Sequence, residues 1–402
     1  MKLIDRFLNY VSFDTQSSET SFSLPSTPKQ LVLAKALADE LTALGAKDVF
    51  LSRNGYVYAT VPSTPDRAEM QPLGFLAHMD TSPDASGANV RPSIVEYDGG
   101  VLPLGTSGRA LDPKVFPELA RLAGRHLVVT DGTTLLGADD KLGIALCMSL
   151  AETLLADGAP SHREIRLCFT PDEEVGGGTR GFEPDRFGAK IAYTVDGGPV
   201  HEVENANFNA ASAVFTVKGV SVHPGYAKDS MVNALRVAGE ILAALPPEEC
   251  PEKTSGREGF FHPTQFEGTV GAATLKLIVR DHDVAKFAAR KARLAEIASE
   301  IGARHPAGTV ELAVTDQYNN MEEGIARVPE LVANAQDAVR AVGLEPKLVA
   351  IRGGTDGAAL TRMGIPCPNL GTGGRNFHGE CEYAIIEEAE QMLEILKHIA
   401  TR

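Results

Sequence analysis

The chain has 402 residues, 43% hydrophobic and 23% charged, which is long enough for two cores and too well mixed for a disordered protein. Its net charge of −15 disfavours nucleic acid and anionic membrane as partners, and no apolar run approaches the roughly 20 residues that span a bilayer. Five scattered cysteines, odd in number and never in a CxxC pair, argue against a disulfide framework and against a thiolate zinc site.

The N-terminal MKLIDRFLNYVSFDTQ carries Asp5 inside its apolar stretch, so it reads as an amphipathic helix. It lacks the apolar region and cleavage site of a secretory signal, and a cytoplasmic location is expected. Thr27-Pro28-Lys29-Gln30 has the form of a capping box opening a helix that runs to about Gly45. Asn54-Gly55 predicts a hairpin turn, and LGFLAH at 73–78 a buried strand. Residues 81–134, rich in Gly, Pro, Ser and Asp, read as loops and short strands near a site. A helical pattern over 141–156 and strands at 164–170 and 190–195 imply an α/β sheet, mostly parallel at its centre and covered by helices.

After Asn207 the rhythm changes. Strands at 211–219, 260–265, 268–281 and 309–316 with helices at 231–244 and 283–301 form an α+β unit. The domains are thus 1–207 with 320–402, and an inserted 208–319. The chain then returns to a helix over 328–342, a strand over 346–351 and a final helix over 386–401.

Acidic and histidine clusters sit where predicted strands end, the place where open α/β sheets bind ligands. In His78-Met79-Asp80 the two polar side chains of an extended segment share one side, so Asp80 can orient a ligating His78. Gly137-Ala138-Asp139-Asp140-Lys141 precedes a helix and also fits an N-cap. Asp172-Glu173-Glu174 is mutually repulsive; it calls for a cation or a helix N-terminus nearby, or else forms a solvated turn. Asp196 again ends a strand, and His378 lies in a glycine-flanked loop. His with Asp and Glu, and no Cys, is the ligand set of a hydrolytic zinc site, with manganese or cobalt as substitutes.

Taken in order, LNYVSFDTQS, HMDTSPDASG, TLLGADDKLGIA, FTPDEEVGGG, YTVDGG, SVHPGYAK, LIVRDHD, IRGGTDGA and PCPNLGTGGRNFHG span almost the whole chain. In these the sequence resembles the dinuclear zinc exopeptidase family that includes carboxypeptidase G and aminoacylase, and within it the tripeptide aminopeptidases. The resemblance implies a metal-bearing catalytic domain with an inserted lid or dimerisation domain. It implies two zinc ions, one held by His78 and Asp196, the other by Glu174 and His378, with Asp139 bridging them. Asp139 is chosen over Asp140 because the family's bridging acid stands two before the lysine, and Asp139–Asp140 would be its cis peptide bond. Glu173 would be the general base and Asp80 the partner of His78. His223 is the candidate oxyanion donor, from this subunit or from the partner of a homodimer. Arg280 and Arg352, with Asn233 as a weaker neighbour, are candidates for the carboxylate of a short peptide, a task suited to the bidentate guanidinium. Arg375 stands where a neutral residue is expected.

The expected function is therefore removal of the N-terminal residue from tripeptides by a metal-activated water. Dipeptides or N-acyl amino acids would be served equally by the same catalytic groups. A non-catalytic metal- or peptide-binding protein would be expected to lack a ligand or the base, and all are present.

Overall fold

The computed structural model describes residues 1–402, and the chain forms two compact units. The first comprises Met1–Asn205, Met321–Val349 and Thr355–Arg402; the second comprises Ala206–Asn320 and the short return Ala350–Gly354.

An eight-stranded sheet organises the first unit, in the order Lys47–Leu51, Val57–Val61, Ile165–Thr170, Leu73–His78, Ala192–Gly197, Asn369–Gly371, Glu202–Ala206, Lys347–Ala350. Its four central strands, Ile165–Thr170 to Asn369–Gly371, are parallel, and Val57–Val61 and Glu202–Ala206 flank them antiparallel. Both faces are covered, which is why these strands read as unbroken apolar runs. In Leu73–His78 the alternation sends Phe75 and Ala77 into the larger core and Leu76 into the smaller one. The larger core packs the helices Leu3–Val11, Gln30–Leu44, Ala138–Leu155, Pro329–Ala341 and Ile386–Ala400 against the sheet. Each fully buried Leu or Phe there contributes about 1.5–3 kcal/mol. Arg6 is buried on the inner face of the N-terminal helix, and its guanidinium is satisfied by Glu40, Ser149 and Glu152.

One expectation changes. The predicted capping box does not form: the helix begins at Gln30, and Thr27 Oγ1 donates to the Gln16 carbonyl at 2.7 Å. The competing partners are tertiary, since the Gln30 amide is drawn to Asp172 at 2.7 Å. Within 81–134, Ser93–Glu96 and His126–Val129 pair with Tyr383–Ile385 and Gly374–Arg375 in a second, four-stranded sheet. It has its own core around Tyr97, Leu104, Leu127 and Tyr383.

In the second unit an antiparallel sheet runs Phe260–Gly268, Ala272–Asp281, Asn209–Lys218, Thr309–Tyr318. The helices Ala234–Ala243 and Val284–Arg304 pack on one face. Ala211, Ala213, Phe215 and Val217 alternate into that core, as do Leu275, Leu277 and Val279. Asp283 caps the long helix by accepting the Lys286 N–H at 2.9 Å. No helix in either unit is long and apolar enough to cross a membrane.

Candidate active site

The carboxyl ends of the parallel strands deliver the site. His78 is the last residue of its strand, Asp196 lies near the end of Ala192–Gly197, and the turn after Ile165–Thr170 presents Glu173 and Glu174. Asp139 comes from the first turn of Ala138–Leu155, and His378 from the loop after Gly374–Arg375. His78 Nε2 lies 2.8 Å from Asp139 Oδ1 and 3.2 Å from Asp196 Oδ1. His378 Nε2 lies 2.9 Å from Glu174 Oε2 and 3.3 Å from Asp139 Oδ2. The two oxygens of Asp139 therefore face two different histidines.

Two residue groups have their ligand atoms within 4.8 Å of one another: His78 with Asp139 and Glu174, and His78 with Asp140 and Asp196. Asp140 is the least suited of these to a cation, because both its oxygens already accept backbone N–H groups. Oδ2 takes that of His78 at 3.1 Å and Oδ1 that of Gly143 at 3.2 Å. The peptide bond Asp139–Asp140 is cis. At Gly143 the helix runs so close to the sheet that a Cβ would lie 1.9 Å from the Val195 carbonyl oxygen.

Further carboxylates hold this constellation. Asp80 Oδ1 accepts the Glu173 N–H at 2.9 Å and Oδ2 the Glu174 N–H at 3.2 Å, while His78 Nδ1 lies 3.4 Å from Oδ1. Glu382 accepts the N–H groups of Leu136, Gly137 and Asp139 at 2.7, 2.8 and 3.0 Å. Asp84 stands 3.3 Å from His378 Nδ1, on the side away from Glu174. Asp356 accepts the Thr170 hydroxyl at 2.7 Å.

The electrostatics of the cluster are dominated by burial of like charges. Burial pushes Glu173 well above the usual carboxylate range, and raises Glu174 and Asp196 to about 7 each. Burial also pushes Asp139 upward, but hydrogen bonds from His378 and His78 outweigh it and hold this carboxyl below its ordinary value. The same acids raise His378 to about 11. The histidines thus sit as cations within a crowd of acids. Glu174 Oε1 is buried with no hydrogen-bonding partner in the protein. An orphaned carboxylate oxygen, imidazole nitrogens and no thiolate fit divalent cations of the zinc, manganese or cobalt kind.

Residues 130–402 match the model of peptidase family M20/M25/M40. The chain belongs to that family. It is 47% identical over 402 residues to the Peptidase T of Geobacillus sp., with 98% of each chain covered. It is 48% identical over 401 residues to the Peptidase T of Escherichia fergusonii, covering 99% of this chain and 98% of that one. Among solved structures it is similar to the aminopeptidase PepT of Bacillus cereus, with a TM-score of 0.79, 24% identity, and 99% and 97% of the chains covered. A tripeptidase from Staphylococcus aureus gives 0.80 at 20% identity over the same shares. These two likenesses establish the α/β peptidase fold, and membership of the family makes the chain a peptide-bond hydrolase.

In this peptidase the remaining candidates lie in the second unit. His223 is exposed, and its Nδ1 accepts the Gly225 N–H at 3.1 Å. Asn233 Oδ1 caps Ala234–Ala243 by accepting from Leu235 and Arg236. Arg280 donates to Gln317 at 3.0 Å and lies over the Tyr318 ring. Arg352 donates to the carbonyls of Gly256 and Glu258 and to the Thr254 hydroxyl, and it lies over Phe208 and Phe260. Arg375 is half-buried and tied at 2.7 Å to both Glu388 and the Gly374 carbonyl, which leaves it a structural pair. Asp84, Asp356 and Glu382 were not read as candidates from the sequence, and Asp172 was read only as part of the acidic run with Glu173 and Glu174. Their one signal was proximity in the chain to residues already singled out.

Proposed function

We propose that the chain is a two-metal aminopeptidase that removes the N-terminal residue of tripeptides, with zinc as its metal and cobalt or manganese as substitutes. The observation that carries this reading is Asp139, whose two oxygens face His78 and His378 separately. His78 and Asp196 would hold one ion, Glu174 and His378 the other, and Asp139 both. When bound, the ions supply Lewis-acid polarisation of the scissile carbonyl and a water acidic enough to react near neutral pH. The tripeptide preference is supported by the Peptidase T relatives, which align over nearly the whole chain.

The protein's own groups do the rest. Glu173 is the proton carrier: its backbone is pinned by Asp80, and burial raises its carboxyl above the usual carboxylate range, which strengthens its conjugate base. It takes a proton from the attacking water and delivers it to the nitrogen of the leaving peptide. Asp80 orients His78 through Nδ1, which lies 3.0 Å from the Asp80 carbonyl oxygen and 3.4 Å from its Oδ1, so that Nε2 faces the acids. The Gly225 N–H donating to His223 Nδ1 leaves the neutral ring with its proton on Nε2, available to donate to a developing oxyanion. Arg280 is the first receptor for the peptide carboxylate, with Arg352 second because most of its donors hold the 254–258 turn. Asn233 offers only its amide N–H groups, the oxygen being engaged as a cap.

The test is hydrolysis of matched di-, tri- and tetrapeptides and one N-blocked tripeptide, with a chelator control. Release of the N-terminal residue from the free tripeptide alone, lost with chelator, is expected. Equal cleavage of a dipeptide or the blocked substrate would keep the metal chemistry and remove the tripeptide assignment.

A further inference from the structure

The motif at the N-terminus, LNYVSFDTQS and the serine-rich turn after it, has no part in the chemistry above. It nevertheless touches the segments next to Asp80, Asp139 and Glu173. Lys141, fully buried, donates from Nζ to the Phe13 carbonyl at 2.7 Å. The Gln16 amide donates to the carbonyls of Ser82 and Ala85, and Ser17 N–H donates to the Thr81 carbonyl.

The tightest of these contacts is at Asp172. This residue is 1% exposed, and no ion-pair partner accompanies its carboxylate; the charge is met by hydrogen bonds alone. Oδ2 accepts the Ser26 N–H at 2.6 Å, while Oδ1 accepts the Ser26 hydroxyl at 2.5 Å and the Gln30 amide at 2.7 Å. The Asp172 N–H in turn donates to Gln30 Oε1 at 3.2 Å. Its φ is +60°, a conformation in which glycine would be unstrained. The side chain, not the backbone, therefore explains an aspartate here. The next two residues are Glu173 and Glu174, whose N–H groups are held from the opposite side by Asp80.

We propose that Asp172, gripped by Ser26 and Gln30 of an N-terminal strap, is a positioning residue that sets the reach of Glu173 and Glu174 and thereby the hold on the metal ion shared by Glu174 and His378. A small rotation of this turn moves both carboxylates at once, and displacements near 1 Å are enough to cost about a hundredfold in rate. This inference rests on the two-metal reading.

The experiment titrates metal-free protein with Co2+, following visible absorption and heat, and adds kcat and KM on a tripeptide. Asp172→Gly keeps the turn and removes the grip; Ser26→Ala removes one donor and Ser26→Thr restores it. The wild type should bind two ions. In Asp172→Gly and Ser26→Ala the second ion should bind about tenfold or more weakly with the first unchanged. Their kcat should fall more than KM rises, and Ser26→Thr should behave as wild type. Two ions bound as tightly in both weakened variants as in the wild type would overturn the proposal. So would equal weakening of both ions together with a lowered unfolding temperature, because that is a structural defect only. If Asp172→Gly does not fold, the Ser26 pair decides alone. A wild type that fails to bind two ions removes the metal reading itself, and this inference with it.

Discussion

Glu173 and Glu174 are neighbours in the chain with different tasks, and their surroundings separate them. Glu174 has Oε2 at His378 and an orphaned Oε1, whereas Glu173 has its backbone pinned and its carboxylate in no ion pair. Glu173→Gln should therefore keep metal binding and lose about 10²–10⁴-fold in kcat, measured beside a Co2+ titration. Unchanged kcat would assign the proton to another group. Glu204 offers a test of electrostatics away from the metals. It is buried with its Oε2 accepting the Asn369 amide at 2.6 Å, and burial raises it from 4.5 to about 7. The folded state thus binds the extra proton between about pH 4.5 and 7, and that contribution to stability is lost as pH rises through 7. Glu204→Gln, which still accepts from Asn369, should raise the melting temperature of metal-free protein at pH 8. The gain is at most about 3 kcal/mol and vanishes near pH 4.5. At this scale the residues that end strands were legible, since His78 and Asp196 close apolar runs. Glu382 was not, because an acid that accepts backbone N–H groups looks in sequence like any loop acid, and Asp172 stood out only as part of an acidic run, its contacts with Ser26 being long-range.

Among the elements, Ala138–Leu155 matters most, because it carries Asp139 and lies directly on the central strands. Gly143 permits that contact, with the Val195 carbonyl and the Asp140 carboxylate both closer to its Cβ position than a methyl group tolerates. Gly143→Ala should cost about 1–3 kcal/mol of stability and displace Asp139 from the histidines. Thermal unfolding and metal stoichiometry would show this, and a variant equal to wild type in both would mean the helix slides without consequence. The long strands and helices were readable because their apolar periods run for several turns or alternations. The second sheet was not, being built from strands of two to four residues, with Tyr383–Ile385 pairing to His126–Val129 across more than two hundred residues of chain. The failed capping box has the same origin: local chemistry at Thr27 and Gln30 yields to a distant carboxylate at Asp172.

For the whole molecule, two separate cores imply two unfolding transitions, since each unit buries its own apolar set. Chelation should lower the transition of the metal-bearing unit and leave the other in place. At free metal about 100 times Kd the difference is about 2.7 kcal/mol per site. Calorimetry with and without chelator checks this; a common shift of both transitions would mean that the units unfold as one.

The short return Ala350–Gly354 has a bearing on how such a module can be moved between proteins. The second unit is written in two pieces of the gene, and the smaller piece supplies Arg352, which fastens the 254–258 turn and covers Phe208 and Phe260. A fragment cut out as 206–320 would carry its sheet and both helices but leave two aromatic faces bare. Recombination that respects only the obvious ends of the insertion would transplant a module without its clasp, whereas a graft that also carries residues 350–354 would move it intact.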